Sequence, residues 1–145
     1  AVSQGGQGGV IVNISSMAAI IGGAGLSHYA ASKSAVDAFT VGAARELAKE
    51  GIRVFAIRPG ATETDLTASG FNDPATRASI ERTIAMGRYA KADEIAAPVV
   101  AMLSDSFAFL SGAVVDAGGG GYLKAALLQR AGEPRAEGDV VIKDQ

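Results

Sequence analysis

Cysteine is absent from this chain, which excludes disulfides and thiolate chemistry. Histidine occurs once, at His28, and the acidic residues are scattered, so no structural zinc site is expected. Apolar residues make up 48% of the sequence, yet no run is long enough to cross a bilayer. The net charge of −2 gives no strong draw toward nucleic acid or a membrane surface, and neither is an expected partner. There is no initiator Met, and the Gly/Gln-rich residues 1–9 lack the basic and apolar regions of a signal peptide, so a cytoplasmic location is the default expectation. A phosphate-cradling glycine turn is also missing. Gly6-Gln7-Gly8 and Gly23-Ala24-Gly25 lack the third glycine at its spacing, and neither falls between a strand and the helix that would bind a pyrophosphate.

What is present has the size of one domain, 145 residues, with 19 glycines and an alanine-rich interior. Residues 10–14, nearly all apolar and β-branched, read as a strand of a parallel sheet buried on both faces. A loop over 15–25 follows. Ser27 is the expected N-cap of a long helix over about 28–50, which Gly51 stops. Small residues on that helix (Ala31, Ala35, Ala38, Gly42) predict close packing against a second helix. Residues 52–58 form a second buried strand ended by Pro59-Gly60, and the two strands with their helix make a βαβ unit with a right-handed crossover. Asp73-Pro74 opens a helix over about 74–85, another spans 92–103 with Pro98 bending or perturbing it, and 113–116 is a third strand. Beyond residue 124 the pattern weakens into a polar, loosely ordered tail.

Tyr29 and Lys33 lie four residues apart, which puts them on one helix face. A free phenol, with a pKa of about 10, is a poor base at neutral pH, and an ammonium held nearby favours its ionised form. Taken alone, the pair also reads as ordinary helix surface. Ser16, thirteen residues earlier, follows the first strand and so lies near the carboxyl edge where open α/β sheets bind ligands. A hydroxyl there can donate to a substrate carbonyl oxygen while Tyr29 supplies the proton; the competing role for Ser15 and Ser16 is capping of backbone groups. Pro59-Gly60-Ala61-Thr62-Glu63-Thr64 ends the next strand at the same edge, either as a ligand-presenting turn or as a plain strand-ending one.

Together these segments resemble the short-chain dehydrogenases/reductases of the classical type. The resemblance rests on Ile11-Val12-Asn13-Ile14-Ser15-Ser16, Tyr29-Ala30-Ala31-Ser32-Lys33, Ile52-Arg53-Val54, Arg58-Pro59-Gly60 through Thr64-Asp65-Leu66, and Ser111-Gly112 through Asp116-Ala117-Gly118-Gly119. It covers about residues 9–122, and the chain is most similar to sugar dehydrogenases and 3-oxoacyl-carrier-protein reductases. The resemblance implies an α/β, Rossmann-like parallel sheet with flanking helices, incomplete because only the carboxyl-terminal half is matched. On this reading residues 1–122 are that half-domain and 123–145 a tail outside it.

By the same resemblance Tyr29 is the general acid/base. Lys33 holds the nicotinamide ribose hydroxyls and assists Tyr29, and Ser16 orients the substrate oxygen. Pro59, Gly60, Thr62 and Thr64 form the nicotinamide-contacting turn, with Thr62 meeting the carboxamide. Met17, Ala18 and Leu66 line the substrate pocket, and residues 66–85 are the mobile substrate-binding region. The implied cofactor is NAD or NADP, the partner a small carbonyl or alcohol substrate, and the assembly a homo-oligomer. The family's first half, with its glycine-rich turn and a catalytic asparagine, is not found here. That leaves a second expectation: a non-catalytic half-domain that acts only in association, with an exposed apolar sheet edge. An epimerase or dehydratase of the extended type also uses Tyr-x-x-x-Lys, but the Pro59-Gly60-x-x-x-Thr64 segment argues for the classical type.

Overall fold

The computed structural model describes residues 8–68 and 72–121. Three parallel strands carry the fold: β1 (Gly9–Ile14), β2 (Ile52–Pro59) and β5 (Val114–Ala117), in the spatial order β1-β2-β5. The tail expected over 123–145 lies outside the described residues.

β2 is the central strand, and Val54, Phe55, Ala56 and Ile57 are fully buried. Side chains alternate between the faces of a strand, so four consecutive buried residues require cover on both. The long helix α2 (Ser27–Leu47) supplies one cover: its Ala43 and Ala44 cluster with Ile52 and Val54, and Leu47 packs against them. α2 buries a stripe that includes Asp37, Thr40, Ala43 and Ala44, at the 3–4 residue spacing of one helix face.

β1 departs from the expectation of burial on both faces. Its Ile11 and Ile14 are 40% and 51% exposed, because β1 is an edge strand paired only with β2 among the described residues. The expected exposed apolar edge is therefore present. The small-residue stripe also lies open, with Ala31, Ala35 and Ala38 exposed.

Local signals placed most boundaries. Gly51 adopts φ 68°, the left-handed conformation that ends the helical segment after a short 3-10 turn over Ala48–Glu50. Asp73 caps α3 (Pro74–Glu81) by accepting a bond from the Thr76 N–H at 2.8 Å, with Pro74 in the first turn. α3 stops at Glu81, short of residue 85, where the chain turns toward Ile84, 5% exposed. α4 (Ala92–Met102) runs through Pro98.

Three expectations are corrected. Ser27 is the first residue of α2 rather than its cap; Leu26 holds the cap position, and no side chain caps the end. The loop over 15–25 contains a single helical turn, α1 (Ala18–Ile21). A two-residue parallel pair, β3 (Thr62–Glu63) with β4 (Ala90–Lys91), joins segments far apart in sequence and too short to carry periodicity.

Candidate functional site

The register of the sheet builds the site. Ile14 pairs with Ile57 and Pro59 with Ala117, so all three strands end on one edge. Backbone bonds extend this alignment past the strand ends: Ser15 N–H donates to the Ile57 carbonyl (2.8 Å), Met17 N–H to Pro59 (3.0 Å) and Gly60 N–H to Ala117 (3.0 Å). The segments around Ser16, Gly60 and Gly118 thus converge at the carboxyl edge, the usual ligand position in open α/β sheets.

Two glycines allow that convergence. A Cβ on Gly60 would stand 2.8 Å from the Gly118 Cα, and one on Gly118 would stand 2.9 Å from Met17 Cγ. The first clash is with backbone, which has no rotamer to yield.

A cavity of about 430 Å³ opens there, lined by Ser16, Met17, Ala18, Tyr29, Pro59 and Gly60 from the expected site. Ala61, Gly118 and, from the expected substrate-binding region 66–85, Ile80, Thr83 and Ile84 also line it; Ile21, Leu26 and Gly121 complete it, and sequence reasoning did not single out these last three. Their only sequence signal was apolar or small character; their meeting depends on the path of the chain through α3 and back to β5. Lys33, Thr62, Thr64 and Leu66 do not line this cavity. Leu66 is 92% exposed and contributes nothing to the wall.

The two serines divide their roles. Ser15 is 3% exposed, and its hydroxyl donates to the Lys33 carbonyl at 3.2 Å, so it is a structural tie to α2. Ser16 Oγ accepts from the Ala18 N–H at 3.1 Å, which positions it and leaves its own O–H to donate elsewhere. Tyr29, on the first turn of α2, is 38% exposed.

Lys33 Nζ sits 5.8 Å from the Tyr29 ring centroid and donates to the Ile14 carbonyl at 2.9 Å. An ammonium has three donors, so this bond fixes its direction and leaves others for a ligand hydroxyl.

The turn after β2 is knit internally. Thr62 Oγ1 donates to the Gly60 carbonyl (3.0 Å), and Thr67 Oγ1 lies within hydrogen-bond reach of the Thr62 carbonyl (2.6 Å) and Thr64 Oγ1 (3.1 Å). Thr67, not anticipated, organises the segment that carries both expected threonines.

An ion cluster ties these parts together. Arg58, next to the Pro59-Gly60 turn, donates from Nε to Asp37 of α2 at 2.9 Å and from Nη1 to Asp116 of β5 at 3.0 Å. Burial opposes the Arg58 charge, but the hydrogen bonds to Asp37 and then Asp116 outweigh it and hold the pKa above the ordinary arginine value. Asp37 lies one turn beyond Lys33, so Arg58 joins the helix that carries Tyr29 and Lys33 to the strand that ends in the Pro59-Gly60 turn.

A smaller cleft of about 190 Å³ lies beside the cavity, lined by Met86, Arg88, Glu94 and Ile95 among others, and includes neither Ser16 nor Tyr29. Among the described residues, no group of three or more His, Cys, Asp or Glu is placed to hold a metal ion. Among the same residues no helix is long and apolar enough to cross a membrane.

Residues 2–121 match the protein family described as enoyl-(acyl carrier protein) reductase. The chain is 41% identical over 121 residues to the uncharacterized oxidoreductase YgfF of Escherichia coli (strain K12), covering 83% of this chain and 49% of that protein. It is 41% identical over 112 residues to 3beta-hydroxysteroid dehydrogenase 1 of Eggerthella lenta, covering 77% and 43%. The crystal structure of a putative NAD(P)-dependent gluconate 5-dehydrogenase from Beutenbergia cavernae, with bound NADP at low occupancy, superposes with a TM-score of 0.76 at 36% identity, over 81% of this chain and 47% of that one. The chain spans about half the length of the relatives it matches. With its Rossmann-like parallel sheet and this match, the chain belongs to the short-chain dehydrogenase/reductase family.

Proposed function

We propose that the protein carrying this sequence is an NAD(P)-dependent oxidoreductase that interconverts a carbonyl compound and its alcohol, with Ser16, Tyr29 and Lys33 handling the proton. The observation that carries this reading is the convergence of Ser16 and Tyr29 on one cavity at the carboxyl edge of the sheet, with the Lys33 ammonium held beside the Tyr29 ring. Ser16 donates its O–H to the substrate oxygen and orients the carbonyl. Tyr29 Oη gives a proton to that oxygen in reduction and takes it back in oxidation. Lys33, anchored on the Ile14 carbonyl, presents its remaining N–H groups to ribose hydroxyls and keeps positive charge near the phenol.

The residues present fit the nicotinamide end of a dinucleotide. Gly60 and Gly118 keep the strand ends free of side chains, and Lys33 has donors to offer. Pro59, Gly60, Thr62 and Thr64 form the turn that would hold the nicotinamide, which supplies hydride chemistry when bound. The cytoplasm as location and self-association along the exposed Ala31, Ala35 and Ala38 face of α2 belong to the same reading.

Fluorescence titration with NADH and NADPH tests it. Binding at micromolar concentrations, weakened at least about tenfold in Lys33→Met, is the expected result. Absence of binding of either dinucleotide would favour the alternative of a half-domain that acts only in assembly.

A further inference from the structure

We infer that the cavity selects an uncharged, largely apolar ketone or secondary alcohol that presents a single oxygen to Ser16 and Tyr29, and rejects sugar acids and polyols. This rests on the oxidoreductase reading above and adds the substrate class. The names of similar proteins do not decide the matter, since they span a steroid and a sugar acid.

The walls decide it. Five aliphatic or thioether side chains, Met17, Ile21, Leu26, Ile80 and Ile84, face the cavity, and among the described residues no charged side chain lines it. A carboxylate placed there would lose part of its hydration with no cation among the lining side chains to replace it.

Polar capacity is as limited as charge. Beyond Ser16 and Tyr29, the only other side-chain hydroxyl in the wall among the described residues is Thr83, and it donates to the Ile80 carbonyl at 2.7 Å. The backbone is similarly engaged. The Pro59 carbonyl accepts from Met17 N–H, the Gly60 carbonyl from Thr62 Oγ1, the Ala61 carbonyl from Ala90 N–H and the Gly118 carbonyl from Gly121 N–H. The N–H groups of Ala18, Ile21, Leu26, Gly60, Thr83 and Ile84 all have partners within the chain.

A polyol entering this space would strip water from each hydroxyl and meet few groups able to replace those bonds, since most of the polar groups named here are already engaged. An apolar frame loses nothing on entry and removes from water the rim formed by Ile21 and Leu26, 45% and 48% exposed. The volume, about 430 Å³, lies in the range of small-molecule sites; a nicotinamide held at Pro59 and Gly60 would take part of it, and a fused bicyclic ketone would pack on the Ile21, Leu26, Ile80 and Ile84 side.

The test compares 2-decalone with 5-keto-D-gluconate, reading dinucleotide oxidation for turnover and saturation-transfer NMR for binding. The expected result is a kcat/KM at least about tenfold higher for 2-decalone. Ile21→Arg, a change at the half-exposed rim, should reduce that preference by lowering decalone turnover and admitting the carboxylate. Leu26→Arg serves as a second, independent rim variant, and circular dichroism checks that both fold. Equal or higher turnover of 5-keto-D-gluconate by the unmodified protein would overturn the proposal and leave the oxidoreductase reading standing. Decalone binding with no turnover of either compound would instead sink the oxidoreductase reading and keep the cavity's selectivity. Failure of decalone to bind, or binding unchanged in both rim variants, would overturn the inference directly.

Discussion

Single residues at this site do work that their identities only partly announce. Ser15 and Ser16 are adjacent and chemically alike, yet one hydroxyl ties β1 to the Lys33 carbonyl and the other is left at the cavity. Tyr29, Lys33 and Ser16 could be grouped from the sequence by a helical spacing behind a strand, and the structure places Ser16 and Tyr29 on one cavity with Lys33 beside the Tyr29 ring. Leu66, expected at the pocket by resemblance, is 92% exposed and does not line the cavity. Ile80 and Ile84 lay within the expected substrate-binding region 66–85 but were not named individually, because an isoleucine in a helical pattern reads as core. Arg58 gives the residue scale its test. Removing its charge leaves Asp37, 8% exposed, without its cation, and loosens α2 from the end of β2. Arg58→Leu should destabilise the fold by about 2–3 kcal/mol, less than a fully buried pair because some solvent reaches the cluster. Urea unfolding measures this, and an unchanged midpoint would mean that the cluster is not structural.

At the scale of elements, several local signals were read correctly, though not the start of α2 or the turn of α1, and distant pairing was not read at all. Asp73-Pro74 and Gly51 marked their helix ends because capping and left-handed backbone are properties of one or two residues. The β3–β4 pair could not be read, since Thr62 meets Ala90 only after α3 has returned the chain. The start of α4 carries a pH dependence. Arg88 grips both oxygens of Glu94 at 2.7 Å, and Glu94 also accepts from the Lys91 N–H at 2.9 Å. The hydrogen bonds from Arg88 first, then Lys91, lower the Glu94 pKa from 4.5 to about 2. A carboxyl depressed in the folded state stabilises the fold fully above its unfolded pKa and loses that contribution as pH falls through the folded value. The stabilisation from Glu94 is therefore present above pH 4.5 and disappears on the way down to about 2. Denaturation midpoints measured across that window should fall more steeply for the unmodified protein than for Glu94→Gln. Parallel curves would show that this grip contributes nothing.

The whole molecule is organised around one sheet edge. β2 is buried on both faces and fixes the register of its two neighbours, and that register brings Ser16, Gly60 and Gly118 together. The opposite property, an open apolar flank on β1 at Ile11 and Ile14, follows from β1 having one strand partner among the described residues. The same fact explains why a nearly all-apolar strand was read as doubly buried: composition reports what a strand can bury, not what is there to cover it. The central claim is that this edge moves a proton through Tyr29. The direct measurement is ketone-dependent NAD(P)H oxidation by the protein carrying this sequence, compared between Tyr29 and Tyr29→Phe, with dinucleotide affinity and thermal midpoint measured on both. The account predicts a loss in kcat of about 10²–10⁴-fold or more with affinity and midpoint nearly unchanged. Turnover that survives the removal of this single hydroxyl would contradict it.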